Sequence, residues 1–411
     1  MRLLVFLSLL LPLSLVGQST LGLTAYYPFE SNLSDATGDA TNLGTPVGAV
    51  DYDCGVTGQA LLLGGTEDYV RIPGGASNNV NREFGSENFT VSLYFKSAGG
   101  SGAQYLITKR DTNCALNRYF YLTYQPDSRT LEASLREDNV AATVTHAIDN
   151  GSCWQLVTLV RETRDLRLYL NGVEVGSTTT ASPVDIENSG DLLIGAAECP
   201  QGGTGRFRGL IDEVRIYGRA LDAAEVGQLY SFPDRILTPP TQLFLGQSVD
   251  IDLNSNCGTT FTWSPATGVA DANEAEPTIT PDRAGRRTYT VRIADGQTDC
   301  IARDSIQLTV IDPDDISCSE LFVPKAFTPN GIGPVENETF GIANPFAIRD
   351  LRSFEIYDRY GALMFRTDDA FVRWDGTFKG QPVNPGVMLW RVVYNCEGQE
   401  VVATGSVTIL R

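Results

Sequence analysis

Apolar and polar residues alternate in short runs along most of this chain, and Gly, Asn and Asp separate the runs. A period of two predicts strands with one face against a core, so the expected fold class is all-β sandwiches and not βαβ units. In Thr90-Val91-Ser92-Leu93-Tyr94-Phe95-Lys96, Val91, Leu93 and Phe95 share one face and Tyr94 falls on the polar side. Leu166-Arg167-Leu168-Tyr169-Leu170 alternates likewise, ends in Asn171-Gly172 and returns through Val173-Glu174-Val175, which predicts a hairpin with a type I′ turn. One helix is expected in the first half, over residues 222–230, where Asp222 and Glu225 have capping-box spacing. Pro233, Pro239 and Pro240 mark a linker and Asp312-Pro313-Asp314-Asp315 a second, giving domains at residues 21–231, 236–312 and 318–411.

One apolar run breaks the alternation. Arg2 precedes residues 3–16, which are apolar and interrupted by Pro12, and Gly17-Gln18 follows. That pattern predicts a cleaved signal peptide at residues 1–17. The run is too short for a spanning helix, which needs about 20 apolar residues, and no other segment is expected to cross a membrane as a helix.

The C-terminal stretch contains Val323-Pro324-Lys325-Ala326-Phe327-Thr328-Pro329-Asn330, Tyr357-Asp358-Arg359-Tyr360-Gly361, Trp374-Asp375-Gly376-Thr377-Phe378 and Asn384-Pro385-Gly386-Val387. In that order these motifs resemble the gliding-motility-associated, type B C-terminal domain of type IX secretion. The resemblance implies a small antiparallel sandwich that the outer-membrane translocon reads, leaving the cargo at the cell surface or outside. The family's Gly-Asp-Gly-x-Asn-Asp run is replaced by Gly331-Ile332-Gly333-Pro334-Val335-Glu336-Asn337, which lacks both aspartates, so no divalent-ion loop is carried over.

The first domain contains Ala25-Tyr26-Tyr27-Pro28-Phe29-Glu30, Gly58-Gln59-Ala60-Leu61, Asp68-Tyr69-Val70, Cys153-Trp154-Gln155-Leu156-Val157 and Leu168-Tyr169-Leu170-Asn171-Gly172. Phe207-Arg208-Gly209-Leu210-Ile211-Asp212-Glu213-Val214-Arg215-Ile216-Tyr217 and Arg219-Ala220-Leu221-Asp222-Ala223-Ala224-Glu225 complete the order. It resembles the laminin-G-like, concanavalin A-like jelly roll, although Gln155 stands where the family often has His. The middle stretch has Trp263 between Cys257 and Cys300 and resembles Ig-like or PKD-like spacers of bacterial surface proteins.

Charge narrows the function. Lys and Arg total 31 against 50 Asp and Glu, and losing Arg2 with the signal leaves 30 against 50, or −20. A surface of that sign repels phosphate backbones, so nucleic acid is not an expected partner. Eight cysteines in an exported chain suggest disulfides, and the absence of a C-x-x-C pair removes support for zinc ribbons or thioredoxin-like chemistry. Pairing within domains predicts Cys257 with Cys300 and Cys318 with Cys396. Cys54, Cys114, Cys153 and Cys199 are left to the first domain with three possible connectivities.

A jelly roll hosts lectins, adhesion modules and glycanases alike, so function must come from residues. Retaining glycanases of this fold carry Glu-x-Asp-x-x-Glu or a close variant, which no stretch of residues 18–235 contains. His146 is the single histidine, in a strand context that reads as exposed, and no Gly-x-Ser-x-Gly elbow is present. A non-enzymatic domain is therefore expected. Tyr94, Tyr119 and Tyr121 are candidates for a glycan-stacking platform, or for ordinary strand tyrosines with exposed rims. Period two places Asp212 with Leu210, Val214 and Ile216, where a carboxylate needs an Arg or backbone partner or a metal. The jelly-roll resemblance implies a structural calcium on such a late-strand aspartate. Residues 111–117 and 198–206, each with one cysteine, are candidate rim loops or ordinary stapled loops.

The leading expectation is a secreted or surface protein whose jelly roll binds a polysaccharide or glycoprotein in adhesion, gliding or capture. A glycoside hydrolase or its accessory module, and a structural envelope protein without a small ligand, are the alternatives. The sequons at Asn32, Asn88, Asn150 and Asn337 read as coincidental in a bacterial exported chain.

Overall fold

A computed structural model describes residues 20–410 except 75–78, 86–87, 112, 115–116, 150, 201–204, 297, 316, 332–336 and 349. The signal peptide expected at residues 1–17, the sequon asparagine Asn150 and most of the loop after Gly331 lie outside the described residues. The described chain is all-β, with one α-helix, Ala223–Gln228. It forms two compact units, each described by itself.

The first unit comprises the described residues of Met1–Pro239 with Asp250–Ile279 and Tyr289–Ile306. Two antiparallel sheets enclose its main core. One runs in the order Val173–Thr179, Asp165–Leu170, Gln155–Glu162, Phe89–Ser97, Arg208–Tyr217, Gln59–Gly64, Asp51–Cys54, with Leu23–Tyr27 also paired to Arg208–Tyr217. The other runs Val140–Ala147, Thr130–Glu137, Arg118–Gln125, Gln104–Arg110, Leu192–Ile194, Tyr69–Ile72, Thr45–Val47. Val91, Leu93 and Phe95 meet Phe120, Leu122, Leu131 and Ala133 between the sheets, as the alternation requires. Asn171 and Gly172 turn the hairpin with φ of +50° and +81°, the left-handed pair of a type I′ turn. Asp222 accepts from the Glu225 amide while the Glu225 side chain accepts from the Asp222 amide, closing the capping box.

The outer face of the first sheet is covered as well. Strand Phe89–Ser97 is buried at every position, and Tyr94, Trp154, Tyr217, Val226, Leu229 and Cys257 form a second apolar cluster there. Cys54 bonds Cys257 and Cys153 bonds Cys300, tying residues of the expected spacer to the jelly roll. The expected Cys257–Cys300 bridge is therefore not formed. Each sulfur meets a jelly-roll cysteine, with Cα atoms 5.4 and 4.8 Å apart, so pairing within presumed domains fails where the domains are packed together. Of the four cysteines assigned to the first domain, Cys114 and Cys199 bond each other. The spacer expected at 236–312 is divided between the two units instead of standing alone.

The second unit comprises Pro240–Val249, Thr280–Thr288 and Gln307–Arg411, of which residue 411 and those named above are not described. Its main sheet runs Ala326–Phe327, Gln399–Ile409, Gly386–Cys396, Asp350–Tyr357, Leu363–Thr367, with the first pair parallel. Phe327, Phe340, Trp374 and Tyr394 sit in its core, and Cys318 bonds Cys396. The recurring motifs serve as joints. Trp374 and Phe340 exchange backbone hydrogen bonds of 2.7 and 2.8 Å, Asp358 accepts from the Tyr360 and Ala362 amides, and Asp375 accepts from Thr377.

Candidate functional site

Alternation along Arg118–Gln125 sends Phe120, Leu122 and Tyr124 into the core and Tyr119 and Tyr121 to the outer face of the second sheet. The two rings stack at 5.6 Å with 16° between their planes. Tyr105 meets the Tyr121 ring edge-on at 5.7 Å, and the Arg110 guanidinium lies 4.6 Å over Tyr119. The Tyr121 hydroxyl donates to Glu132 Oε1 at 2.6 Å. Burial, with Glu132 adding to it, pushes that phenol above its ordinary value. The adjoining crevice holds only about 10 Å³, far below the roughly 300–1,000 Å³ of pockets that engulf a ligand, so a ligand here would lie on the rim. Tyr119 and Tyr105 are buried, and Tyr121 and Glu132 remain half-exposed.

Of the loops expected at 111–117 and 198–206, the second lines this crevice through Cys199. Cys114 and Cys199 staple them, and Arg110 donates to the Cys114 carbonyl at 2.8 Å. Tyr105, Arg110 and Glu132 were not among the sequence candidates. Their position beside Tyr121 depends on strand register, for which the sequence carries no local marker.

Tyr94 is not part of this face. It is 1% exposed on the opposite sheet, where its hydroxyl accepts from the Ser231 amide at 2.7 Å and stacks its ring against Tyr230. Burial raises its pKa to about 12. Its placement on a polar side assumed a sheet covered on one face only. The helix and residues from the expected spacer cover the other.

Asp212 also departs from the expected pattern. A β-bulge between Asp212 and Arg215 puts Glu213 at φ +54° and switches the faces of the strand. Ile211, Val214 and Ile216 face the main core, while Leu210 and Tyr217 face the second cluster. Asp212, fully buried, accepts from the Val56 and Glu213 amides at 2.8 Å each. Gly55 permits this approach, since a Cβ there would lie 2.6 Å from Asp212 Oδ2. Burial first, then the neighbouring Glu213 charge, raises its pKa to about 8, and the amides oppose that shift. Backbone amides thus supply the partners that this buried carboxylate needs. No group of three or more His, Cys, Asp or Glu suited to a metal occurs among the described residues.

Glu213 pairs with Arg215 and accepts from the Tyr26 hydroxyl at 2.9 Å. His146 is half-buried opposite Leu131 on Val140–Ala147, not the exposed histidine expected. A wide depression elsewhere on the unit is lined by Asp51, Glu67, Asp68 and Arg208.

Residues 64–227 match the family model of the concanavalin A-like lectin/glucanases superfamily, and residues 321–409 match the CHU_C type IX secretion signal domain. The chain thus carries a concanavalin A-like domain and a type IX secretion signal that marks it for export to the cell surface or beyond. No helix among the described residues is long and apolar enough to cross a membrane.

Among solved structures, domain 4 of AbnA, a GH43 extracellular arabinanase from Geobacillus stearothermophilus in complex with arabinotriose, is 25% identical. The match covers 51% of this chain and 98% of that one, with a TM-score of 0.42. The IT-sialidase CBM40 of Ruminococcus gnavus bound to α2,3-sialyllactose is 16% identical over 42% of this chain and 96% of that one, with a TM-score of 0.37. The receptor-binding domain of the botulinum neurotoxin C/D mosaic serotype is 10% identical over 93% of this chain and 72% of that one, with a TM-score of 0.44. No curated protein matches the chain.

Proposed function

We propose that this is an exported, non-enzymatic binding protein whose concanavalin A-like domain engages a polysaccharide or surface glycoprotein. The supporting observation is the Tyr119–Tyr121 stack beside Glu132 on an outward sheet face. An aromatic face takes the apolar side of a pyranose while a carboxylate accepts from its hydroxyls. In this reading the signal peptide at 1–17 brings the chain to the periplasm and the translocon then takes the C-terminal domain.

The non-enzymatic part rests on the carboxyl groups. Hydrolysis needs an acid of raised pKa beside a second carboxylate, both reaching the glycosidic bond. Asp212 has the raised pKa but no exposure, and its neighbour Glu213 is held by Arg215 and Tyr26. Burial also raises the pKa of Asp234, which is held by the Ser255 hydroxyl, and no second carboxyl lines its pocket. The full-length oxidised protein, applied to a glycan array and then incubated with each bound polysaccharide, tests both parts. Retention on at least one glycan without release of reducing ends is expected. Release of reducing ends would overturn the non-enzymatic reading, and binding to nothing on the array would overturn the binding reading.

A further inference from the structure

A second pocket opens in the first unit where the jelly roll meets the start of strand Ile301–Ile311. Trp154, Gln155, Asn171, Tyr230, Asp234 and Arg303 line it, around a cavity of about 170 Å³. Resting on the glycan-binding reading, we infer that this pocket is a distinct subsite for a neutral saccharide unit.

Four observations carry the inference. Trp154 is 4% exposed, yet its Nε1–H has no hydrogen-bond partner in the protein. A buried indole N–H usually has one, and Trp154 lines the pocket wall, so its indole reports on what enters. Beside the pocket the chain runs Phe232-Pro233-Asp234, with Phe232 at φ +52° and Asp234 at φ +57°. Two left-handed residues that are not glycine are costly and persist only where their surroundings enforce them. Here Asn254 donates to the Ser231 and Phe232 carbonyls at 2.7 and 3.0 Å, and the Ser255 hydroxyl donates to Asp234 at 2.6 Å.

The enforced conformation leaves the Phe232 ring 53% exposed and 4.6 Å from Tyr230. A large apolar ring in water beside a pocket wall of Tyr and Trp is a stacking surface for a pyranose. Asn171 Nδ2 donates to Gln155 Oε1 at 2.9 Å, fixing both amides at the pocket wall. Arg303 is exposed and makes no ion pair among the described residues, so its planar fork can bridge vicinal hydroxyls. Around it Arg235 pairs with Asp304 at 3.2 Å, and the wall carries one further cation, Arg303, and one further carboxyl, Asp234, so the formal charges about the pocket cancel, which suits a neutral ligand.

The test uses the full-length oxidised chain and a neutral oligosaccharide that it binds on an array, with Phe232→Ala, Arg303→Ala and Tyr121→Ala compared by isothermal titration. Phe232 and Arg303 are exposed, so both variants should keep the melting temperature. We expect each to weaken binding about two- to tenfold, in line with the loss of one stacked or bidentate contact. The Trp154 indole N–H resonance should shift on addition of the sugar to the wild type. Unchanged affinity in both variants with an unmoved indole resonance overturns this subsite, while loss of binding in Tyr121→Ala alone leaves the broader glycan reading standing. Binding confined to acidic saccharides also overturns it. Failure to bind any glycan removes the broader reading and this subsite together.

Discussion

Lys96 and Asp295 form an ion pair across 199 residues of sequence, and their side chains are only 1% and 4% exposed. The Lys96 ammonium also lies 5.4 Å over the Trp154 ring, so the cation is held by a carboxylate and an aromatic face in one dry place. Removing one member of a buried pair strands the other charge, at a cost of about 3–5 kcal/mol. Lys96→Met and Asp295→Leu should each lower unfolding free energy in urea by that order. The double variant should recover most of the loss, because a buried pair is commonly replaced by apolar side chains at little net cost.

Cys54–Cys257 and Cys153–Cys300 make residues 250–279 and 289–306 a structural part of the first unit. A fragment ending at residue 235 would lose both partners and the cover over Tyr94 and Trp154. It should show two reactive thiols in the denatured, unreduced state where the full chain shows none, and melt well below it. Native disulfides contribute about 2–5 kcal/mol each in exported proteins. A fragment that melts with the full chain would contradict this arrangement.

Asp212 gives a pH signature. Its folded pKa, about 8, lies above the ordinary 3.8, so between these values the folded protein holds a proton that the unfolded chain has released. The contribution of this group is therefore fully present below about pH 4 and is lost as pH rises through about 8. Denaturant unfolding across that range should show Asp212→Asn with a pH slope differing from wild type by about one proton. Parallel slopes would rule out the raised pKa.

With the Val56 and Glu213 amides as its partners, Asp212 needs no cation to be buried. A chelator, followed by excess calcium, should leave the melting temperature of the full-length protein unmoved. A rise of several degrees with calcium, absent in Asp212→Asn, would place a cation at this carboxylate after all.

Local rules account for much of the fold. The alternation of Val91, Leu93 and Phe95, the left-handed Asn171-Gly172 turn and the Asp222/Glu225 box each depend on neighbours within a few residues, and all appear as expected. What was not legible depends on distant chain. Tyr94 looked solvent-facing because nothing nearby shows that the helix and Cys257 cover its sheet. The bulge at Glu213 was hidden because a left-handed conformation on a charged residue has no sequence marker, and one extra residue there reverses the face of all that follows. Cys54 and Cys257 are 203 residues apart, and no spacing rule joins them. Of the candidate site, Tyr119 and Tyr121 were legible from strand alternation, while Glu132, Arg110 and the pocket beside Phe232 required the sheet register and the packing of residues 289–306.

The central claim is that the outward Tyr121–Glu132 face holds a saccharide without cleaving it. Affinity electrophoresis of the full-length protein in gels containing a polysaccharide picked from the array tests it most directly, with Tyr121→Ala run alongside. The account predicts that the wild type is retarded in proportion to polysaccharide concentration, that Tyr121→Ala migrates closer to its sugar-free position, and that the polysaccharide stays intact. Equal retardation of the two proteins, or a cleared track behind the wild type, would contradict it.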